Sequence, residues 1–113
     1  MDSLKGKVVI VTGAARGLGR EYAIKMAAEG ADVVAGDIRS CDETVATIYA
    51  NGGRATNVEL DVTSAASCDK AAKITTDLYG NIDALVNNAA YTAGSKAGDS
   101  TQSKLKNGNA VWQ

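Results

Sequence analysis

The sequence predicts an α/β protein built on a parallel sheet. Short runs of β-branched and other apolar residues alternate with stretches of helical periodicity, and a glycine follows each predicted helix. The resulting order β-α-β-α-β-α-β favours right-handed crossovers that place helices on the faces of the sheet. At 113 residues, 45% of them hydrophobic, the chain has the size of one ordinary domain.

Four short segments are predicted strands. Val8 to Val11 is wholly apolar and β-branched, which favours a strand buried on both faces of a parallel sheet. Asp32 to Asp37, Ala55 to Leu60 and Ala84 to Val86 are the other three. We expect the sheet to be truncated after about four strands, which leaves the fourth as an unpaired apolar edge open to association.

The first predicted helix runs from about Leu18 to Glu29. Leu18, Tyr22 and Met26 recur at intervals of four residues, with Ala23 and Ala27 beside them. Because residues four apart lie on one face of a helix, these side chains predict the apolar stripe that packs on the sheet. Gly30 then marks the end of the helix.

Two further helices are predicted from the same periodicity. The apolar positions that mark them are Val45, Ile48 and Tyr49 in the second and Ala71, Ile74 and Leu78 in the third. Thr63 or Ser64 is the predicted N-cap of the third helix. Gly52 and Gly80 follow the two helices, where a left-handed cap favours a residue without Cβ.

The C-terminal segment from Tyr91 to Gln113 lacks this alternation. It is rich in Gly, Ser, Thr, Lys and Asn and has few large apolar side chains. We therefore predict an organised domain over residues 1–90 and a loop or weakly structured tail over residues 91–113.

Composition excludes several functional classes. Lys and Arg number 12 against 13 Asp and Glu, so the net charge of -1 provides no field that would attract nucleic acid or an anionic membrane. The absence of His removes the commonest metal ligand and the Ser-His-Asp triad, and we assign no metal site. Cys41 and Cys68 lack the Cys-x-x-Cys spacing, and no signal-peptide or membrane-spanning segment is apparent, so we expect a cytoplasmic protein with reduced thiols.

The segment from Thr12 to Gly19 carries the clearest chemistry. It follows the first predicted strand, opens the first helix and has glycines at positions 13, 17 and 19. Residues without Cβ let the backbone approach a pyrophosphate, while the helix N-terminus presents free N–H groups and a partial positive charge. A strand-turn-helix context of this kind predicts a dinucleotide site.

Asp37 ends the second predicted strand, 24 residues after Gly13. A carboxylate at this place accepts hydrogen bonds from the adenosine ribose. It would also repel a 2′-phosphate by roughly 4 kcal/mol at about 4 Å and an effective dielectric constant near 20. NAD is therefore favoured over NADP, although Arg16 and Arg39 could each meet a 2′-phosphate; a solvated loop acid is the alternative interpretation of Asp37.

Three motifs occur in an order that resembles the short-chain dehydrogenase/reductase family. They are Thr-Gly-x-x-x-Gly-x-Gly at residues 12–19, Asp61-Val62 after the third strand, and Asn87-Asn88-Ala89-Ala90 after the fourth. The resemblance covers about residues 4–91. Ala90 departs from the family pattern, which has glycine there.

The resemblance implies a Rossmann-type doubly wound parallel sheet that binds NAD. Gly13, Arg16, Gly17, Leu18 and Gly19 would wrap the pyrophosphate, with Asp37 on the ribose, Asp61 and Val62 on the adenine, and Asn88 and Ala89 along the path of the cofactor. Structural roles remain open beside these. Asp61 could be a helix-entry acid, and the Asn87 and Asn88 amides could satisfy backbone groups at the end of the strand.

Members of this family transfer hydride between the nicotinamide and an alcohol or ketone, using Tyr-x-x-x-Lys with a nearby Ser and Asn. Here no Tyr is followed by Lys four residues later. Asn107 resembles the family's Asn, although it lies only 19 residues after Asn88. No other catalytic residue is assigned.

The resemblance therefore implies the NAD-binding part of an oxidoreductase that acts on a small-molecule alcohol or ketone, in a family whose full-length members commonly form homo-oligomers. The alternatives are a non-catalytic nucleotide-binding or interaction module, or a decayed fragment. An adenosylmethionine-dependent methyltransferase shares the glycine loop but fits Thr12-Gly13 and Asn87-Asn88 poorly.

Overall fold

In the computed structural model, residues 3–89 and 111–112 are described. They contain the strands β1 (Val8–Thr12), β2 (Asp32–Asp37), β3 (Arg54–Glu59), β4 (Ala84–Val86) and β5 (Val111–Trp112) and the helices α1 (Gly17–Ala28), α2 (Asp42–Ala50) and α3 (Ala65–Tyr79). The strands form one parallel sheet in the order β3-β2-β1-β4-β5. The four predicted strands and three predicted helices are thus confirmed.

The central strand β1 explains why its sequence is wholly apolar. All five of its residues are buried, since β2 and β4 flank it and helices cover both faces. Val9 and Val11 pack in one cluster with residues of α1 and α2, whereas Ile10 packs in a second cluster with α3. Helices on both faces make the sheet doubly wound, as predicted.

Helix α1 packs on the sheet through small residues, which include Ala23 and Ala27 of the predicted stripe, rather than through the large residues of that stripe. Gly19, Ala23 and Ala27 are its buried residues, while Leu18 is 63% and Tyr22 39% exposed. The small side chains allow the helix to approach the sheet closely, so the large residues one position away are displaced towards solvent. The predicted burial of Leu18 and Tyr22 was wrong.

Helices α2 and α3 follow the prediction more closely. Ile48 and Ala71 are buried as expected, although Tyr49 and Leu78 lie exposed at the edge of each stripe. The Ser64 hydroxyl accepts a hydrogen bond from the Ser67 N–H at 3.1 Å, which identifies it as the N-cap of α3.

Strand β4 was predicted to be an unpaired edge of the sheet, and this prediction was wrong. Strand β5 pairs with it in parallel, with Leu85 opposite Val111 and Val86 opposite Trp112. The pairing gives the otherwise open edge of β4 backbone hydrogen-bond partners. Residues 90–110 and Gln113, which include most of the predicted tail, lie outside the described residues.

None of the helices in residues 3–89 has the length and apolar character that a membrane span requires.

The two cysteines are buried on opposite faces of the sheet. Cys41 belongs to the cluster with α1 and α2, and Cys68 to the cluster with α3. Burial, and after it the negative charges of Asp37 and Asp42, together raise the pKa of the Cys41 thiol to about 12. The Cys41 thiol is therefore protonated at neutral pH.

We expect Cys41 to resist iodoacetamide at pH 8 in the folded chain, because the reactive thiolate is scarce and the sulfur is shielded from solvent. In urea the same thiol should alkylate readily. Peptide mass spectrometry after timed labelling measures both rates. Equal rates in buffer and in urea would contradict the buried position of Cys41.

Candidate functional site

A cavity of about 310 Å³ lies at the carboxyl ends of the strands. Its walls come from the loop between β1 and α1 and from the segments that follow β2, β3 and β4. The lining residues are Gly13, Arg16, Gly17, Asp37, Ile38, Arg39, Leu60, Asp61, Val62, Thr63, Asn88 and Ala89. In parallel α/β sheets, ligands bind at this end, where the strand order reverses.

The cavity brings together eight of the ten predicted cofactor residues. Leu18 and Gly19 are the two that do not line it. The Leu18 side chain is exposed at the start of α1, and Gly19 is buried against the loop itself. Of the other predicted site residues, Asn107 lies outside the described part of the chain.

The loop between β1 and α1 presents backbone to the cavity. Gly17 has φ of +62°, and a Cβ placed on it would meet no atom within 4 Å, so the space beside it is open. The N-cap residue Arg16 makes no capping hydrogen bond through its side chain, and the first turn of α1 carries no acid. The N–H groups of this turn are thus available to an anion.

The carboxylate of Asp37 is 8% exposed and is held by two backbone donors. Its Oδ2 accepts the Ala15 N–H at 3.0 Å, and its Oδ1 accepts the Arg39 N–H at 3.0 Å. These bonds join the glycine loop to the turn after β2, and each oxygen retains a lone pair for a further donor. Asp37 is therefore not the solvated loop acid of the alternative interpretation.

Asp61 has a structural role at the entry to α3. Its Oδ1 accepts the Thr63 hydroxyl at 2.6 Å and the Thr63 N–H at 2.9 Å. The hydroxyl bond, and then the backbone bond, hold the pKa of Asp61 below its ordinary value. The same residue lines the cavity, so the helix-entry role and a place in the site are compatible.

Thr12 joins β1 to the segment after β4. Its buried hydroxyl accepts the Asn88 N–H at 2.9 Å and the Ala89 N–H at 3.1 Å, and it donates to Asn87 Oδ1 at 3.1 Å. One side chain thereby places Asn88 and Ala89 on the cavity wall. The sequence indicated Thr12 only as the opening of a motif, because its partners lie about 75 residues away.

Replacement of Thr12 with Val should lower the free energy of unfolding by about 2–4 kcal/mol. The substitution keeps the shape of the side chain but leaves two backbone N–H groups without their acceptor. Urea denaturation followed by circular dichroism measures the loss. Thr12→Ser retains the hydroxyl and is the matched control; a Thr12→Val chain as stable as the Ser variant would contradict this role.

Thr44 contacts the glycine loop between β1 and α1, and the sequence did not indicate this role. It is fully buried in the first turn of α2, and its Oγ1 donates to the Ala14 carbonyl at 2.8 Å. No motif surrounds it in the sequence, so only the packing of α2 beside the glycine loop identifies it.

The described residues contain no group of three or more His, Cys, Asp or Glu side chains that could hold a metal ion. The polar groups of the cavity are instead backbone N–H groups, carboxylates, amides and guanidinium groups. This set suits a phosphorylated, hydroxyl-bearing organic ligand.

A family model described as short chain dehydrogenase matches residues 7–111. A 3-oxoacyl-(acyl-carrier-protein) reductase from Synechocystis is 43% identical over 95 residues, which cover 81% of this chain and 38% of that protein. Galactitol 2-dehydrogenase from Agrobacterium fabrum is 46% identical over 77% of this chain and 34% of that protein. The chain therefore spans little more than a third of these relatives.

Solved structures agree with the sequence matches. A hydroxysteroid dehydrogenase from Escherichia coli superposes with a TM-score of 0.77 at 38% identity, covering 80% of this chain and 39% of that one. A short chain dehydrogenase from Mycobacterium smegmatis gives a TM-score of 0.75 at 40% identity, with 82% and 40% covered. Because the family model matches residues 7–111 of the 113, this chain belongs to the short-chain dehydrogenase family of oxidoreductases.

Proposed function

We propose that this chain is the NAD-binding part of an oxidoreductase that transfers hydride between NAD and a small-molecule alcohol or ketone. The observation that carries the proposal is the convergence of the uncapped N-terminus of α1 and the buried Asp37 carboxylate on one cavity. An anion-binding helix end beside a hydroxyl-binding acid matches the adenosine diphosphate part of a dinucleotide.

The shape of the cavity supports this ligand. The pyrophosphate would lie beside Gly17, where a Cβ would occupy the open space, and the ribose would lie at Asp37. Asp61 and Val62 form the wall at which the adenine would rest, and Asn88 and Ala89 extend the wall past the end of β4. When bound, the nicotinamide supplies the hydride acceptor or donor; these residues bind and orient the dinucleotide.

The charges at the ribose favour NAD over NADP in this proposal. Asp37 is nearly buried and held by two backbone N–H groups, so its carboxylate cannot easily turn away from a 2′-phosphate. Arg16 and Arg39 line the same cavity and would partly offset that repulsion. We expect the carboxylate to decide because it is the fixed charge.

The substrate class rests on the relatives, whose names are those of dehydrogenases and reductases. We propose an alcohol or ketone substrate for the whole enzyme, a cytoplasmic location consistent with two buried free thiols, and a homo-oligomeric state. Asn107 is proposed as the counterpart of the family's catalytic Asn. Without Tyr-x-x-x-Lys in residues 1–113, turnover by this chain alone is not expected.

Fluorescence titration of the 113-residue chain with NADH and with NADPH tests the proposal. We expect both to bind, with a lower Kd for NADH. A lower Kd for NADPH than for NADH would contradict the role of Asp37. If neither nucleotide binds, the proposed dinucleotide site itself is contradicted.

A further inference from the structure

The first turn of α2 is hydrogen-bonded to the glycine loop through the side chain of Thr44. Thr44 is fully buried, and its hydroxyl donates to the Ala14 carbonyl at 2.8 Å. Ala14 is itself fully buried, so water cannot readily replace the hydroxyl as the donor to this carbonyl. A buried polar side chain with one specific backbone partner is characteristic of a structural contact that orients the partner.

Three hydrogen bonds hold this part of the loop. The Ala14 N–H donates to the Gly36 carbonyl at 3.1 Å, the Ala14 carbonyl accepts from Thr44, and the Ala15 N–H donates to Asp37 Oδ2 at 3.0 Å. Two of the partners belong to β2, and Thr44 alone belongs to α2. The loop residues Gly13, Arg16 and Gly17, which line the cavity, flank this anchored pair.

Helix α2 is in turn held against α1. Arg20 of α1 donates through Nη2 to Thr47 Oγ1 at 3.1 Å, and its Nη1 lies 3.6 Å from a carboxylate oxygen of Glu43. Glu43 and Thr47 are four residues apart and both contact Arg20, while Thr44, next to Glu43, contacts the glycine loop. Thr44 therefore acts from a helix that is itself fixed relative to the start of α1.

We propose that Thr44 is a positioning residue of the nucleotide site. Through the Ala14 carbonyl it sets the backbone of the loop from Gly13 to Gly17, whose N–H groups bind the pyrophosphate in the function proposed above, on which this inference rests. Phosphate binding by backbone N–H groups depends on their direction, so a small rotation of the loop weakens binding without unfolding the sheet.

The test compares three variants of the full 113-residue chain. Thr44→Val keeps the shape of the side chain and removes the donor, and we expect the Kd for NADH to rise about tenfold. Thr44→Ser restores the hydroxyl and should bind within about twofold of the unmodified chain.

Thr75→Val is the matched control. Thr75 is also fully buried and its Oγ1 also donates to a backbone carbonyl at 2.8 Å, but its partner Ala71 lies in α3, on the opposite face of the sheet. Thr75 and Ala71 both lie in α3, where the Ala71 carbonyl also accepts its ordinary helical N–H, so we expect little change in stability and an unchanged affinity for NADH. An unchanged affinity in this variant distinguishes a positioning role of Thr44 from a general effect of removing a buried hydroxyl.

The proposal is overturned if Thr44→Val binds NADH as tightly as the unmodified chain, if Thr44→Ser fails to rescue, or if Thr75→Val weakens binding equally. An unmodified chain that does not bind NADH would refute the proposed function instead. In that event amide hydrogen exchange still decides the role of Thr44: the Ala15 amide should exchange faster in Thr44→Val than in Thr75→Val, and equal rates would overturn the proposal.

Discussion

Replacement of Gly19 with Ala is expected to abolish nucleotide binding and to destabilise the chain by about 3 kcal/mol or more. A Cβ at this position would lie 2.0 Å from the Gly13 carbonyl oxygen and 2.7 Å from Asn88 Nδ2. Because the Gly13 atom belongs to the backbone, it cannot turn aside as a flexible side chain would. The glycine loop must therefore separate from α1, and the N–H groups proposed to hold the pyrophosphate move with it.

Two measurements check this result: the urea midpoint of the Gly19→Ala chain and its titration with NADH. Gly53→Ala adds the same methyl group at the other end of the sheet, where the Cβ would lie 3.0 Å from Ile48 Cγ2 and 3.2 Å from Ala27 Cβ. Those side chains need to shift by only a few tenths of an ångström, so this control should keep its affinity. Normal NADH binding by Gly19→Ala would refute the close approach of α1 to the loop.

Replacement of Asp37 with Asn is expected to move the ratio of NADH to NADPH affinity about 100-fold towards NADPH. The substitution removes the negative charge that opposes a 2′-phosphate and leaves Arg16 and Arg39 in the cavity. Affinity for NADH should also fall. The amide group accepts through only one atom, so one of the Ala15 and Arg39 N–H groups loses its acceptor.

Paired titrations with NADH and NADPH separate these two effects. The loss of a backbone contact should weaken the binding of both nucleotides, whereas the loss of the charge should change the ratio of their affinities. Asp61→Asn is the control, because Asp61 lines the same cavity but bonds to Thr63 and is proposed at the adenine. The ratio of NADH to NADPH affinity in Asp61→Asn should remain that of the unmodified chain. An unchanged ratio in Asp37→Asn would show that the arginines, rather than the carboxylate, set the preference.

Local patterns predicted the strands and helices because each element is specified by residues close together in the sequence. The β-branched run from Val8 to Val11 predicts a strand that is buried on both faces. The glycines of the loop predict a backbone that another group can approach closely. Eight of the ten predicted cofactor residues line one cavity, since parallel strands bring their carboxyl ends to one edge.

Packing between distant elements was less predictable. Apolar periodicity indicated Leu18 and Tyr22 together with Ala23 and Ala27 as the buried stripe of α1, but the narrow gap between helix and sheet accommodates only the small residues. Periodicity reports which residues are apolar, whereas the gap between elements determines how large they can be.

The sequence by itself determined the order of elements, the glycine loop and the acid at the end of β2, since each depends on local spacing. Only the tertiary structure decided that Thr12 orients the segment after β4, that Thr44 contacts the loop and that β5 covers the edge of β4. The physical reason is that these contacts join residues far apart in the sequence. A hydroxyl or a strand edge has the same chemistry wherever it occurs, and its role depends on which distant backbone group the fold places within hydrogen-bonding distance.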